Sequence, residues 1–343
     1  MNDTLILGIE TTCDETAAAV VKNGREVLSN VVSSQIDLHR KFGGVVPEIA
    51  SRAHLETHNG LVDEALATAG ISDPAKQLAG VAVAQTPGLI GCLLVGVNTA
   101  KGLAFAWQKP LIAVNHVHAH LYSVLLDSPV QTDFPAIGLV ISGGHSSLYL
   151  VRSFTDITPI GHTLDDAVGE AFDKVAAILQ LGYPGGPLID KLATHGNANA
   201  IDFPVAYLQK DSLNFSFSGL KTSVLYHVNG KQGRERDASA LSEQQKADVA
   251  ASFQRAAATT LISRLKRAVE MHDARAILVG GGVSANSVIR ASLNDLARKL
   301  KLPILIPPMT YCTDNAAMIA GLGHELLTNG RTAELSVDAV ATS

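Results

Sequence analysis

Cysteine is scarce: Cys13, Cys92 and Cys312 are the only ones in 343 residues, an odd and scattered set with no C-x-x-C. That argues against a disulfide framework and a cysteine zinc site, and fits a reducing, cytoplasmic setting. Charge is thin as well. Charged residues make up 17% of the chain, and 27 Lys and Arg stand against 32 Asp and Glu, a net charge of -5. A broadly basic coat for nucleic acid is therefore absent, although a local basic patch is still allowed. The N-terminus, MNDTLILGIE, lacks the basic and long apolar regions of a signal peptide. The longest apolar run, around Gly88 to Val97, is short and glycine-broken, so no membrane span is expected. H-E-x-x-H, G-x-G-x-x-G and the P-loop pattern are also missing, which weakens peptidase, dinucleotide-binding and P-loop readings.

What the chain does have is 47% hydrophobic residues and length enough for two domains. Its most informative stretch is KGLAFAWQKPLIAVNHVHAHL, Lys101 to Leu121. His116 and His120 are four apart, which on a helix places both imidazoles on one face, one turn over the other. Two such imidazoles can share a metal ion. His118 points away from that face. The spacing alone is cheap, since His54 and His58 repeat it.

Taken in order, Leu5–Ile9, Ala17–Val21 and Glu26–Ser34 read as strands, joined by the polar turn around Asp14 and Glu15 and by the hairpin signal Asn23-Gly24. Asp14 and Glu15 are candidates for a base or a cation ligand. Pro47 to Ala69 is helical by pattern. The helix after Gly88 carries the small residues Gly91, Gly96 and Ala100, which suit close packing and suggest a partner interface there or on the helix before it. The opening pattern returns about 130 positions later at 136–163, with strand, turn, strand, strand, which implies two similar α/β halves. The second turn, Ser142-Gly143-Gly144-His145, offers an anion nest of backbone N–H groups. Asp165-Asp166 are expected to cap a helix through Leu181, and 202–233 to form an irregular insertion. Asp190 lies on a helix after a glycine-rich turn, and Gly280 to Asn286 follow a buried strand in the manner of a nucleotide cradle. Asp314 is a hard oxygen ligand at a strand-to-helix junction. The tail from Thr328 looks loose.

The motifs GIETTCDET, PEIASRAHLETH, H-x-H-A-H-L, SGGH, GEAFDK, YPGGP, FSFSGLK, GGVSAN and TDNAAM occur in one order over nearly the whole chain. This set resembles the tRNA N6-adenosine threonylcarbamoyltransferase family (TsaD in bacteria), formerly called O-sialoglycoprotein endopeptidases. The resemblance implies a duplicated actin-like ATPase (ASKHA) fold, with two α/β domains, 1–130 and 131–343, around a nucleotide cleft and an insertion near 202–240. It implies transfer of the threonylcarbamoyl group from threonylcarbamoyl-AMP to N6 of adenine 37 in tRNAs reading ANN codons. The implied metal ligands are His116, His120 and Asp314, holding one Fe2+ per subunit, with Zn2+ as the alternative. Val140, Ile141, Ser142, Gly143, Gly144, Asp173, Gly186, Asp190 and Asn286 match substrate-binding positions. Val140 stands where archaeal members have a metal-contacting tyrosine. The implied partners are tRNA, a TsaB-like paralogue and a TsaE-like P-loop ATPase, without a membrane. The competing readings are a small-molecule kinase or carbamoyltransferase of the same fold and, more weakly, a metallopeptidase.

Overall fold

The computed structural model describes residues 3–205, 211–230, 235 and 237–342. It divides into two compact units, one of residues 1–131, 153–156 and 307–343, the other of 132–152 and 157–306. The sequence boundary at 130/131 thus misses a return: the chain re-enters the first unit at 307.

In the first unit, β1 (Leu5–Glu10), β2 (Glu15–Lys22) and β3 (Glu26–Ser34) form the expected meander. α1 (Ile36–Arg40), α2 (Pro47–Thr68) and α3 (Pro74–Gln77) lead to β4 (Gly80–Thr86), α4 (Ile90–Trp107), β5 (Leu111–Asn115) and α5 (His116–Tyr122). The sheet order is β3-β2-β1-β4-β5, antiparallel across β3, β2 and β1 and parallel from β1 to β5. β1 is buried on both faces, as a central strand covered by helices must be, and so reads as an apolar run rather than an alternation.

The second unit repeats this order as β8-β7-β6-β9-β10. Its elements are β6 (Ala136–Ile141), β7 (Ser146–Ser153), β8 (Asp156–His162), α6 (Val168–Ile178), α7 (Gly185–Ala193), α8 (Ser218–Asn229), α9 (Glu243–Met271), β9 (Ala276–Gly280), α10 (Ser287–Leu300) and β10 (Ile304–Leu305). As in the first sheet, the antiparallel hairpin partner (β6–β7) lies on one side of the central strand and the parallel partner (β6–β9) on the other. The duplication read from sequence is therefore a duplication of topology. The core of this unit includes Phe172 on α6 and Phe253 on α9, edge to face at 4.9 Å between ring centroids, a geometry that adds about 0.5–1.5 kcal/mol beyond area burial. α9 starts with the capping box read from sequence, Ser242 with Gln245.

Four expectations change. The stretch 202–233 is not wholly irregular, because it contains α8; residues 206–210 and 231–234 of that stretch lie outside the described residues. Asp165 and Asp166 do not cap α6, whose N-cap is Ala167. The tail is not loose throughout: Ala333 bridges Leu111 at the sheet edge, and Val340 N donates to Gln85 O. Gly91 and Gly96 face inward, toward Ser51 of α2 and Thr11 of the β1–β2 turn, so they serve packing inside the unit. α4 also runs beyond the glycine-broken segment to Trp107. Among the described residues it is the one helix long and apolar enough to cross a membrane by composition, yet Leu93, Val97, Ala100 and Ala104 are buried in the unit.

Asp165 has a different task. Its carboxylate accepts from the Ser216 and Ser218 hydroxyls and from the Phe217 and Ser218 N–H groups. Burial would raise its pKa, but these donors outweigh it and hold the carboxyl below its ordinary value. A depressed carboxyl contributes stability that is full above its unfolded pKa and is lost as pH falls through the folded one. Amide exchange at Phe217 and Ser218 is therefore expected to be slow at neutral pH and to lose protection below about pH 4. Asp165→Asn should produce the same loss, about tenfold, at neutral pH.

Candidate metal centre

Three ligand atoms converge in the first unit. His116 and His120 are on α5, and Asp314 precedes the N-cap Asn315 of the last helix, α11 (Ala316–Thr328). One ligand atom from each of the three lies within 4.8 Å of the other two. Asp314 Oδ1 is 3.1 Å from His120 Nε2 and 3.6 Å from His116 Nε2. Ligand atoms held at about 2.0–2.1 Å by one tetrahedral ion are about 3.3 Å apart, so these separations suit a shared cation.

Why these residues meet follows from local structure. Asn115 ends β5, and its side chain accepts from His118 N, which starts α5 at His116. Asn315 caps α11 by accepting from Met318 N, which places Asp314 on the turn just before it. α11 then lies almost entirely buried from Ala316 to Gly323, close against β1.

The fit to a metal rests on His120. It is fully buried, and neither ring nitrogen has a hydrogen-bond partner; its approach to Asp314 lacks hydrogen-bond geometry. An unpaired buried imidazole is costly, and a coordinated ion would satisfy it. The donor set of two imidazoles and one carboxylate is one used for ferrous iron and zinc.

His116 has a second contact. Its Nδ1 is 2.9 Å from Glu10 Oε2 and 3.3 Å from Thr12 Oγ1. Burial disfavours the imidazolium, but the Glu10 and Asp314 carboxylates outweigh it and raise His116 to about 9. A carboxylate thus stands at each nitrogen of the His116 ring, Glu10 at Nδ1 and Asp314 at Nε2. The sequence reading missed Glu10, because it ends an apolar strand and only its partners reveal it.

Asp14 and Glu15 lie at the β1–β2 turn, close enough that Asp314 and Asp14 act on Glu15. Burial first, then those two charges, push Glu15 up to about 9. The shift favours its protonated form. Burial and the same carboxylates push the Cys13 thiol up, which disfavours its thiolate. His54, half of the competing pair, is buried and fixes this turn. Its Nε2 donates to Cys13 O at 3.0 Å, and its Nδ1 lies 2.7 Å from Thr16 Oγ1. Burial lowers its pKa, as a neutral structural histidine requires. His118 is likewise outside the metal cluster.

The substrate positions expected from sequence fall in the second unit. Val140 and Ile141 are fully buried in β6, so their side chains pack the core. Ser142 closes a turn by donating its N–H to His145 O, while Gly143 and Gly144 are exposed. Asp173 Oδ1 accepts from Gly185 N at 2.7 Å and so holds the α7 start that contains Gly186. Asp190 and Asn286 are joined through Gln254: Gln254 Nε2 donates to Asp190 Oδ1 at 3.1 Å, and Asn286 Nδ2 donates to Gln254 Oε1 at 2.9 Å. Ser287 adds its N–H and hydroxyl to Asp190. Gln254 went unnoticed in sequence because it is one residue of a long helix.

Fold and site together define a duplicated α/β protein with a His/His/Asp candidate metal centre. Solved structures agree on the fold. HypF from T. kodakarensis matches with TM-score 0.63 at 16% identity, over 95% of this chain and 48% of that one. Component A of the Acidaminococcus fermentans (R)-2-hydroxyglutaryl-CoA dehydratase matches with TM-score 0.53 at 15% identity, over 96% of this chain and 100% of that one. The fold is the actin-like ATPase fold. Residues 26–321 match the family model described as TsaD: tRNA N6-adenosine threonylcarbamoyltransferase. Proteins of that name from Geobacillus kaustophilus and Trichlorobacter lovleyi are 49% and 48% identical, each over 98% of this chain and 96% of the relative. The chain belongs to the tRNA N6-adenosine threonylcarbamoyltransferase family.

Proposed function

We propose that this chain transfers the threonylcarbamoyl group from threonylcarbamoyl-AMP to N6 of adenine 37 in tRNAs reading ANN codons, in the cytoplasm. Membership of the family, together with the unpaired buried His120 beside His116 and Asp314, carries the reading. The ion is ferrous iron, one per subunit, with zinc as the chemically similar alternative. Held by His116, His120 and Asp314, it would supply Lewis acidity.

The chain's own residues account for the rest. The donor is a mixed anhydride, so N6 attacks its carbonyl and AMP leaves. The exposed backbone of Gly143 and Gly144 receives the phosphate; no atom lies within 4 Å of where a side chain would start on either glycine. The Asp190 carboxylate already accepts three hydrogen bonds. About one acceptor position is left for a ribose hydroxyl, and Asn286 is held beside it. Asp14 takes the N6 proton, while Glu15, whose protonated form burial and the neighbouring carboxylates favour, donates a hydrogen bond. Glu15→Gln, which mimics the protonated form, should therefore keep transfer within about tenfold of wild type, and Asp14→Asn should lower it further.

The acidic chain offers little general attraction for tRNA phosphates, so partners complete the surface. A TsaB-like paralogue docks on the outer flank of α4 and α2, where Phe105, Ile90, Leu94 and Leu55 are exposed. A TsaE-like P-loop ATPase is the second partner. Phe105→Glu should abolish co-purification with the paralogue and leave metal content unchanged; retained co-purification would remove this surface.

The direct test supplies threonine-labelled threonylcarbamoyl-AMP, tRNA and the partner proteins. Label in tRNA with wild type, lost with His116→Ala, supports reaction and metal centre together. Equal label with both proteins keeps the reaction and discards the centre. No label with either, the partners being active with another family member, turns the assignment to a metabolite kinase or carbamoyltransferase.

A further inference from the structure

Glu10 is a carboxylate with no solvent exposure, at the end of β1. Burying such a group is costly, and it persists only with strong partners. Its two oxygens have separate ones. Oε1 accepts from Thr12 N at 2.6 Å, and Oε2 is 2.9 Å from His116 Nδ1. The first contact locks the carboxylate plane, and the second is then aimed at a single imidazole nitrogen.

A carboxylate only accepts, so the hydrogen between the two groups sits on Nδ1. In the neutral ring the lone pair is therefore on Nε2, the nitrogen facing Asp314. We propose that Glu10 is a positioning residue: it fixes the tautomer and orientation of His116 so that Nε2 is presented to a divalent cation. The proposal rests on reading His116, His120 and Asp314 as a metal centre. His120 has no such anchor on either nitrogen, so the preorganisation enters through His116.

Glu10→Gln is a sharp probe, since the amide cannot reproduce both contacts. With its oxygen kept on Thr12 N, its NH2 faces Nδ1 and forces the ring proton onto Nε2, the ligating atom. Turned the other way, its NH2 faces the Thr12 N–H. Second-sphere partners of this kind are worth about 10–100-fold in metal affinity.

The experiment measures Zn2+ affinity by chelator competition for wild type, Glu10→Gln and His116→Ala, with melting curves of the metal-free proteins. In parallel, 15N NMR of histidine-labelled, Zn2+-loaded wild type reads the His116 tautomer. Expected are affinity lost in His116→Ala, affinity about 10–100-fold weaker in Glu10→Gln with unchanged metal-free melting, and a wild-type His116 protonated at Nδ1 and ligated through Nε2. Glu10→Gln within threefold of wild type, while His116→Ala loses the ion, overturns the role of Glu10 and leaves the metal centre standing. Should Glu10→Gln fail to fold, the wild-type spectrum decides, and ligation through Nδ1 overturns the proposal. Wild type that binds no Zn2+, Fe2+, Co2+ or Mn2+ removes the metal centre itself, and Glu10 with it.

Discussion

His120→Leu is expected to leave the metal-free protein at least as stable as wild type while removing its metal and lowering threonylcarbamoyl transfer more than about 100-fold, beyond the range of second-sphere losses. The two halves of this result arise from one feature. The ring is buried and neither nitrogen has a hydrogen-bond partner. An apolar side chain of similar size removes an unsatisfied polar group, a change that is near neutral or stabilising. With metal present, wild type gains stability by mass action, about 2.7 kcal/mol when free ion is 100 times the dissociation constant, and the variant gains none. Metal content by elemental analysis, melting with and without added ion, and tRNA labelling read the three effects separately. A variant that melts well below metal-free wild type yet keeps its metal would show that His120 is a core residue and not a ligand.

The parts of the site that were legible in sequence are those carried by short-range pattern. His116 and His120 share a helix face, and the strand–turn–strand opening of each half shows in apolar runs broken by polar or glycine turns. Asp314 was placed by resemblance and by its strand-to-helix junction, since 194 residues separate it from His120 and no local period links them. Glu10 and Gln254 were invisible for a related reason. Each is a polar residue within an apolar or amphipathic element, and only tertiary partners distinguish it from a solvated neighbour. Asp165 was misread because Asp before a helix usually caps it; here the donors come from Ser216, Phe217 and Ser218, about fifty residues away. The return of the chain at 307 escaped because a domain boundary inferred from a repeat assumes contiguous halves. α11 instead crosses back to β1, β2 and β4 of the first unit.

That return makes Gly8→Ala the most damaging small substitution expected in the first unit. Gly8 is mid-strand in β1, and α11 lies directly over it. A methyl group there would sit 2.7 Å from Ala320 N and 2.9 Å from Ala320 Cβ, and closer still to the Ala316 carbonyl oxygen. Two of these three are backbone atoms of a helix, so no side chain can swing aside, and the helix must lift. Overpacking of this kind costs typically about 1–3 kcal/mol. Because α11 is pinned at its N-terminus by Asn315, lifting it moves Asp314 away from His116 and His120. The first unit is therefore expected to melt several degrees lower, roughly 2–4 °C for each kcal/mol lost, and Zn2+ affinity to fall with it, although position 8 is not a ligand. Gly43→Ala supplies the contrast for steric cause: that glycine has no atom within 4 Å of the added carbon, so any loss there reflects its positive φ and leaves metal affinity unchanged. Gly8→Ala with wild-type melting and wild-type affinity would mean that α11 is free to shift on the sheet, and the close approach at Gly8 would then not be what fixes Asp314.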